Sequence, residues 1–165
     1  FSLDTKYLIL YTEYYYMTAT GHAIIGTVIA VKIGNPALAV PLAIASHIAA
    51  DAFPHWDEGT NSKKKSKERF IGESAFDVIL GFALSYLIIF ALFPTTNLLY
   101  VFLIILASQS FDWLTAPYLF LGLNIPPFNW FYKFQKSIEN RLDKPWGIIN
   151  QVVILVLIVI AAKIF

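Results

Sequence analysis

The sequence contains no cysteine and few charged residues. The absence of cysteine excludes disulfide bonds and thiolate metal ligands. Asp, Glu, Lys and Arg together make up 14% of the chain, against about a quarter in an ordinary soluble domain. Hydrophobic residues make up 58%, and the net charge of +1 gives no sign of a basic binding surface. We therefore predict an integral membrane protein, and we expect no nucleic-acid partner.

Methionine is also scarce, because Met17 is the single one in the sequence. The preceding segment lacks the basic start, apolar core and small-residue cleavage site of a signal peptide. We predict that residues 1–16 are an N-terminal extension ahead of the native start, and that residues 17–165 form one transmembrane helical domain. The alternative is a tyrosine-rich segment that packs on the membrane surface.

Long apolar runs account for most of the remaining chain. A helix needs about 20 mostly apolar residues to cross the hydrocarbon layer. Five segments approach that length, namely 18–33, 36–54, 71–93, 98–122 and 147–163. The predicted fold is all-α, an integral membrane bundle of about five transmembrane helices plus one interfacial amphipathic helix.

The basic residues concentrate in two connections, 57–70 and 129–146. Short loops rich in Lys and Arg stay in the cytoplasm, so we predict a multi-pass protein of the inner membrane with a cytoplasmic N-terminus. In the second connection Phe131, Phe134, Ile138 and Leu142 recur at spacings of three and four. This pattern predicts an amphipathic helix that lies in the headgroup layer.

Histidine and acidic residues gather near the predicted cytoplasmic ends of the spans. The segment "SHIAADAFPHWD" places His47, Asp51 and His55 four residues apart, which is one stripe of a helix, and Asp57 follows. His22 opens the first span and Asp112 lies in the fourth. Glu73 and Asp77 open the third span. The topology therefore predicts that residues from four helices converge at one depth.

Carboxylates at this depth need a compensating charge, because a buried ion costs several kcal/mol. Protonation, loop lysines that fold back, or a divalent cation could each provide it. Imidazole beside carboxylate is the usual shell for zinc, manganese or iron, so we expect a divalent metal, zinc or manganese. The predicted ligands are His22, His47, Asp51 and a carboxylate from Asp77 or Asp112.

The other three polar residues are predicted to act around that metal. His55, Asp57 and Glu73 are candidates for outer ligands or proton carriers in catalysis. An alternative stays open for His47 and Asp51, which could also form a hydrogen-bonded step on a proton path.

Two motifs resemble a known family. "MTATGHAIIG", which contains His22, resembles the opening of the bacterial and archaeal inner-membrane metal-dependent hydrolases typified by the YdjM-like proteins. "SHIAADAFPHWD" is similar to that family's His-x-x-x-Asp helix and acidic turn. More remotely, the same helix pattern is similar to the zinc-dependent phospholipase C and P1 nuclease group. The family's His-Arg-Gly…Thr-His-Ser segment and its Pro-Asp-x-Asp order are absent, which leaves the number of metals open.

The resemblance and the predicted depth together imply a hydrolase that acts on a lipid or phosphate ester near the cytoplasmic headgroup layer, with membrane lipid as its partner. A small proton- or metal-transporting protein is the first alternative. It requires polar residues through the outer half, and "IGTVIAV" and "ALSYLIIFALF" offer few. A non-catalytic membrane scaffold with a structural metal is the second.

Overall fold

The computed structural model describes residues 18–57, 65–140 and 142–165, and within these ranges the chain is helical without strands. The prediction of an all-α fold is confirmed for the described residues. Their seven helices are α1 (Ala19–Lys32), α2 (Pro36–Asp51), α3 (Lys67–Leu92), α4 (Leu98–Ser108), α5 (Ser110–Leu121), α6 (Phe128–Ile138) and α7 (Trp146–Ile164). The predictions about residues 1–16 and the start at Met17 lie outside the described residues.

Polar residues cap the N-terminal ends of four of these helices, and Thr18 caps α1 by accepting from the backbone N–H of Gly21. The Asn35 side chain accepts a hydrogen bond from the backbone N–H of Ala37 at 2.9 Å, and Pro36 opens α2. Asn97 caps α4, and Ser66 caps α3, by the same kind of contact. Side-chain caps satisfy N–H groups that have no partner inside the helix, so the short polar turns fix where the apolar helices begin.

Two helices, α3 with 26 residues and α7 with 19, are long and apolar enough to cross a membrane. The pair α4 and α5 qualifies as a third span when taken together, although it is bent by 56° at the break between the two helices. The shorter α1 and α2 have 14 and 16 residues, which extend about 21 and 24 Å at 1.5 Å per residue. The structure therefore shows two or three helices capable of spanning, where the sequence predicted five.

Helix α1 lies at the centre of the bundle and packs against α2, α3, α4 and α7. The apolar core around it combines small residues of α1 and α2 with larger side chains of the other helices. Its buried members are Ala23, Ile29, Ala30, Ala39, Ala43, Ile89, Val101, Ile104 and Ile105. This arrangement also buries two polar residues of α1, His22 and Thr27.

Gly26 sets the distance between α1 and α4. A Cβ atom at this position would lie 2.5 Å from the Ser108 Oγ atom and 3.2 Å from the Ile105 Cα atom. Small residues allow membrane helices to approach closely, and here the approach brings Ser108 against α1. Gly81 plays the equivalent part between α3 and α1, because its added Cβ would lie 2.9 Å from the Thr20 Cα atom.

Gly26→Ala is expected to lower the free energy of unfolding by about 1–3 kcal/mol, the usual cost of forcing an extra carbon into a packed core. Gly72→Ala is the matched control, because that helical glycine has no heavy atom within 4 Å of an added Cβ. Chemical denaturation in detergent measures both. Equal stability of the two variants would contradict the close α1–α4 contact.

The amphipathic helix predicted in the second basic connection is present as α6, which packs against α5. Its buried residues are Tyr132 and Gln135, whereas Trp130 and Phe134 are 64% and 41% exposed. Gln135 and Tyr132 thus face the protein, whereas Phe134 of the predicted apolar stripe is exposed. Leu142, which was assigned to the same stripe, lies beyond the end of the helix.

Candidate metal centre

Four of the predicted residues meet at one point inside the bundle. Nε2 of His22 lies 3.3 Å from Oδ1 of Asp51, and Nε2 of His47 lies 3.3 Å from Oδ2 of the same carboxylate. Oδ1 of Asp112 is 3.6 Å from Nε2 of His47. The two imidazole rings stack with centroids 3.8 Å apart. Helices α1, α2 and α5 thus each contribute to this cluster of two histidines and two aspartates, which we call the ligand group.

A break between α4 and α5 orients His47. Because α4 ends at Ser108, carbonyls of its last turn lack partners within the helix, and the Ser108 carbonyl accepts a hydrogen bond from Nδ1 of His47 at 2.7 Å. The Ser108 hydroxyl donates to the His22 carbonyl at 2.8 Å. A proton on Nδ1 leaves the lone pair of a neutral imidazole on Nε2, which is the arrangement of metal-ligating histidines.

The spacing of the polar atoms is compatible with a ligand shell. Hydrogen bonds from nitrogen to oxygen measure about 2.7–3.2 Å. Two ligands of a tetrahedral zinc ion, with bonds of about 2.0–2.1 Å, lie roughly 3.3–3.5 Å apart. The three pairs at 3.3, 3.3 and 3.6 Å fall at or beside that range. Ligand atoms of His22, His47 and Asp112 lie within 4.8 Å of one another and could hold a metal ion.

The charge of the group also favours a cation. His22, His47 and Asp51 are each no more than 1% exposed, and a buried charge is costly unless it is paired. Two carboxylates, Asp51 and Asp112, face the two stacked imidazole rings. A divalent cation with neutral imidazoles balances Asp51 and Asp112.

Glu73 pairs with two cations near the start of α3. Lys65 and Arg69 contact Glu73, with Nζ and Nε at 2.5 and 2.7 Å from its carboxylate oxygens. Lys63 and Lys64 lie outside the described residues. The structure therefore places Glu73, a predicted catalytic residue, in ion pairs on α3, and does not bring it into the ligand group.

Asp77, the predicted alternative to Asp112 as a ligand, contacts the start of α1. Its carboxylate accepts hydrogen bonds from the backbone N–H groups of Ala19 and Thr20. These groups open α1, where negative charge is favourable and N–H donors lack helical partners. Asp77 thus anchors the N-terminal end of the helix that carries His22, instead of joining the ligand group.

The turn after α2 holds His55 and Asp57 at the edge of the site. Both are buried, with 2% and 4% exposure. Nδ1 of His55 donates to the Phe53 carbonyl at 2.6 Å, and burial lowers the pKa of this histidine. The backbone of His55 is bonded to Asn140 and Leu142, so the segment after α6 fixes the turn.

A cavity of about 100 Å³ lies between α3 and α5 beside the ligand group. Asp57, Asp77 and Asp112 line it together with apolar and aromatic side chains such as Trp113 and Ala116. Asp112 belongs to both the cavity and the ligand group, and its side chain is 23% accessible. The group therefore opens towards the cavity through this residue.

Sequence analysis missed Gln135. This residue of α6 is fully buried, and its amide nitrogen lies 2.9 Å from Nε2 of His47 and 3.3 Å from Oδ1 of Asp112. One signal was available, because Gln135 lies four residues after Phe131 and three before Ile138. A buried amide on an otherwise apolar stripe indicates a polar partner inside the protein.

Glu139, which follows α6, is expected to make the stability of the folded protein depend on pH. Burial, reinforced by the carboxylates of Asp57 and Asp51, raises its pKa from 4.5 to about 9. Between these values the folded protein keeps a proton that the unfolded chain has lost, so stability falls as pH rises. Glu139→Gln is expected to flatten the fall. Thermal unfolding of both proteins in detergent from pH 5 to 9 measures the difference, and equal slopes would contradict the burial of this acid.

Comparisons with protein-family models, curated proteins and solved structures found no match to this chain.

Proposed function

We propose that the protein is a membrane-embedded, metal-dependent hydrolase, as the resemblance to the YdjM-like family implies. The observation that supports this most is the opening of the ligand group onto a cavity through Asp112. A catalytic metal keeps a coordination position that water and substrate can reach. Access from the cavity at Asp112 therefore favours chemistry on a bound molecule over a purely structural role.

The proposed setting is the inner membrane, with five helical segments and a cytoplasmic N-terminus. Helices α3 and α7 and the bent pair provide spans by length and composition. The shorter α1 and α2, packed among them, complete the proposed five-segment bundle. The basic connections would keep the site at the cytoplasmic headgroup layer, within reach of a lipid or phosphate ester.

The donor set indicates zinc or manganese as the metal. Two imidazoles with carboxylates suit these ions, whereas calcium and magnesium prefer shells made of oxygen. When bound, such an ion supplies Lewis acidity for water and for an ester oxygen. His22, His47, Asp51 and Asp112 would hold it.

The surrounding residues have separate tasks in the proposed reaction. Ser108 keeps the Nδ1 proton of His47 in place and so presents Nε2 to the metal. Asp57, which lines the cavity with Asp112, accepts the proton of the attacking water. His55 beside it is the proposed next carrier. The aromatic and apolar cavity walls hold the apolar part of the substrate and exclude bulk water.

Transport is less well supported by the packing. A pathway across the membrane needs polar groups beyond the site, and the core between α1, α2, α3 and α4 is a cluster of Ala, Val and Ile side chains. A continuous apolar plug of this kind suits a site that is open on one side only.

A hydrolysis screen with phosphomonoester, phosphodiester and lipid ester substrates tests the proposal in detergent micelles. The metal-loaded protein is expected to hydrolyse at least one class. Ala116→Trp should fill the cavity and lower the rate by at least about tenfold, which corresponds to about 1.4 kcal/mol, with its metal content unchanged. Leu121→Trp, on an exposed position of the same helix, is the control. Failure to hydrolyse any class, or equal rates for the two tryptophan variants, would contradict the proposal.

A further inference from the structure

We infer that the carboxamide oxygen of Gln135 is an additional metal ligand, delivered to the site by the amphipathic helix α6. This inference rests on the metal centre of the proposed function. It adds a fourth helix to the three that supply the histidines and carboxylates.

The position of the side chain carries the inference. Gln135 is fully buried, and its amide nitrogen points between Nε2 of His47 and Oδ1 of Asp112, which are two of the atoms that would bind the ion. Its oxygen, Oε1, has no hydrogen-bond partner among the described residues. A buried oxygen left unpaired costs about 1–3 kcal/mol. Without metal, the nitrogen of this amide has hydrogen-bond partners and its oxygen has none among the described residues.

A bound metal ion would favour the opposite orientation of the Gln135 amide. The Gln135 N–H group donates to the Nε2 lone pair of His47, and this is the lone pair that a cation would take. An N–H dipole aimed at a cation is repelled by it. Rotation of the amide by 180° exchanges its nitrogen and oxygen, and would turn Oε1 towards a bound ion. Carbonyl oxygens suit manganese, one of the two proposed metals.

This ligand would couple the metal to the position of α6. Trp130 and Phe134 on that helix are exposed, as expected of residues that enter the headgroup layer. With the oxygen bound, the metal would fix α6 against α5. We therefore expect faster backbone hydrogen exchange in α6 when the metal is removed.

Cobalt(II) binding tests the inference, because the visible spectrum of cobalt reports the number and type of its ligands. Gln135→Leu should weaken cobalt binding by about 10- to 100-fold, the range for partners that support a metal site, and change the intensity and position of the visible bands. Gln135→Glu, which keeps an oxygen at the same reach, should restore the affinity. Lys133→Gln, on the exposed side of α6, should behave as the unmodified protein.

Two results would overturn the inference. An unmodified spectrum and affinity in Gln135→Leu would show that the amide is not a ligand, while the proposed metal centre itself would stand. No cobalt binding by the unmodified protein would overturn both. If Gln135→Leu does not fold, Gln135→Asn serves instead. Its shorter amide is buried in the same place, and an unchanged cobalt spectrum in that variant would also overturn the inference.

Discussion

Replacement of His47 by alanine is expected to leave the purified protein without the proposed divalent metal. This imidazole touches every other part of the group, since it stacks on His22 and lies 3.3 Å from Asp51 and 3.6 Å from Asp112. Its loss removes a ligand and also the side chain that lies between the carboxylates of Asp51 and Asp112. Elemental analysis of detergent-purified protein should fall from about one ion per chain to less than about a tenth of that value, because loss of even a supporting group costs 10- to 100-fold in affinity.

Matched variants separate metal binding from general damage to the fold. Asp51→Ala should behave like His47→Ala, because its two oxygens contact both histidines. Glu73→Gln should keep the metal, since its carboxylate pairs with Lys65 and Arg69 on α3 and exposed pairs contribute little to stability. A His47→Ala protein that retains the full metal content would remove His47 from the site.

Asp57→Asn is expected to lower the rate of hydrolysis by a factor of about 10²–10⁴, the usual contribution of a general base. Asparagine has nearly the same shape as aspartate but cannot accept the proton. Asp57 lines the cavity beside Asp112 and is 4% exposed, so bulk water is a poor substitute for it. The fall should appear in kcat with little change in KM, because the proton is transferred only in the transition state.

Metal analysis completes this second experiment. Asp57→Asn should retain the metal of the unmodified protein. A variant that hydrolyses its substrate at the original rate would contradict the role of Asp57 as the base. A variant that loses its metal would instead make Asp57 a ligand.

Part of the site follows directly from local sequence rules. His47 and Asp51 lie four residues apart in an apolar helix, so they must lie on one face of it. Charged and polar residues at the ends of several apolar helices are expensive unless they meet, and this consideration places His22 and Asp112 near that pair. The structure brings all four together.

The remainder depends on contacts that no single segment encodes. No proline or glycine marks the break between α4 and α5, which the tertiary structure stabilises instead. The Gln109 side chain donates to the Ala19 carbonyl at 2.9 Å, and His47 binds the carbonyl of Ser108. Asp77 and Glu73 lie one helical turn apart, yet the first caps α1 and the second binds surface cations. Spacing alone could not separate these two roles.

The sequence did not separate full-length spans from shorter helices, for a related reason. An apolar run of 16 residues is equally suited to a short buried helix and to part of a span. The packing of α1 against four other helices decides that its apolar residues are covered by protein. Sequence hydropathy reports burial from water, and it does not distinguish lipid from protein as the covering material.

X-ray diffraction from crystals of the purified, metal-loaded protein, measured at the absorption edge of zinc or manganese, tests the central claim most directly. We predict one strong anomalous peak within bonding distance of Nε2 of His22, Nε2 of His47 and a carboxylate oxygen of Asp112. A peak elsewhere in the molecule, or no peak while the two imidazoles remain stacked as they are here, would contradict a metal centre at this site.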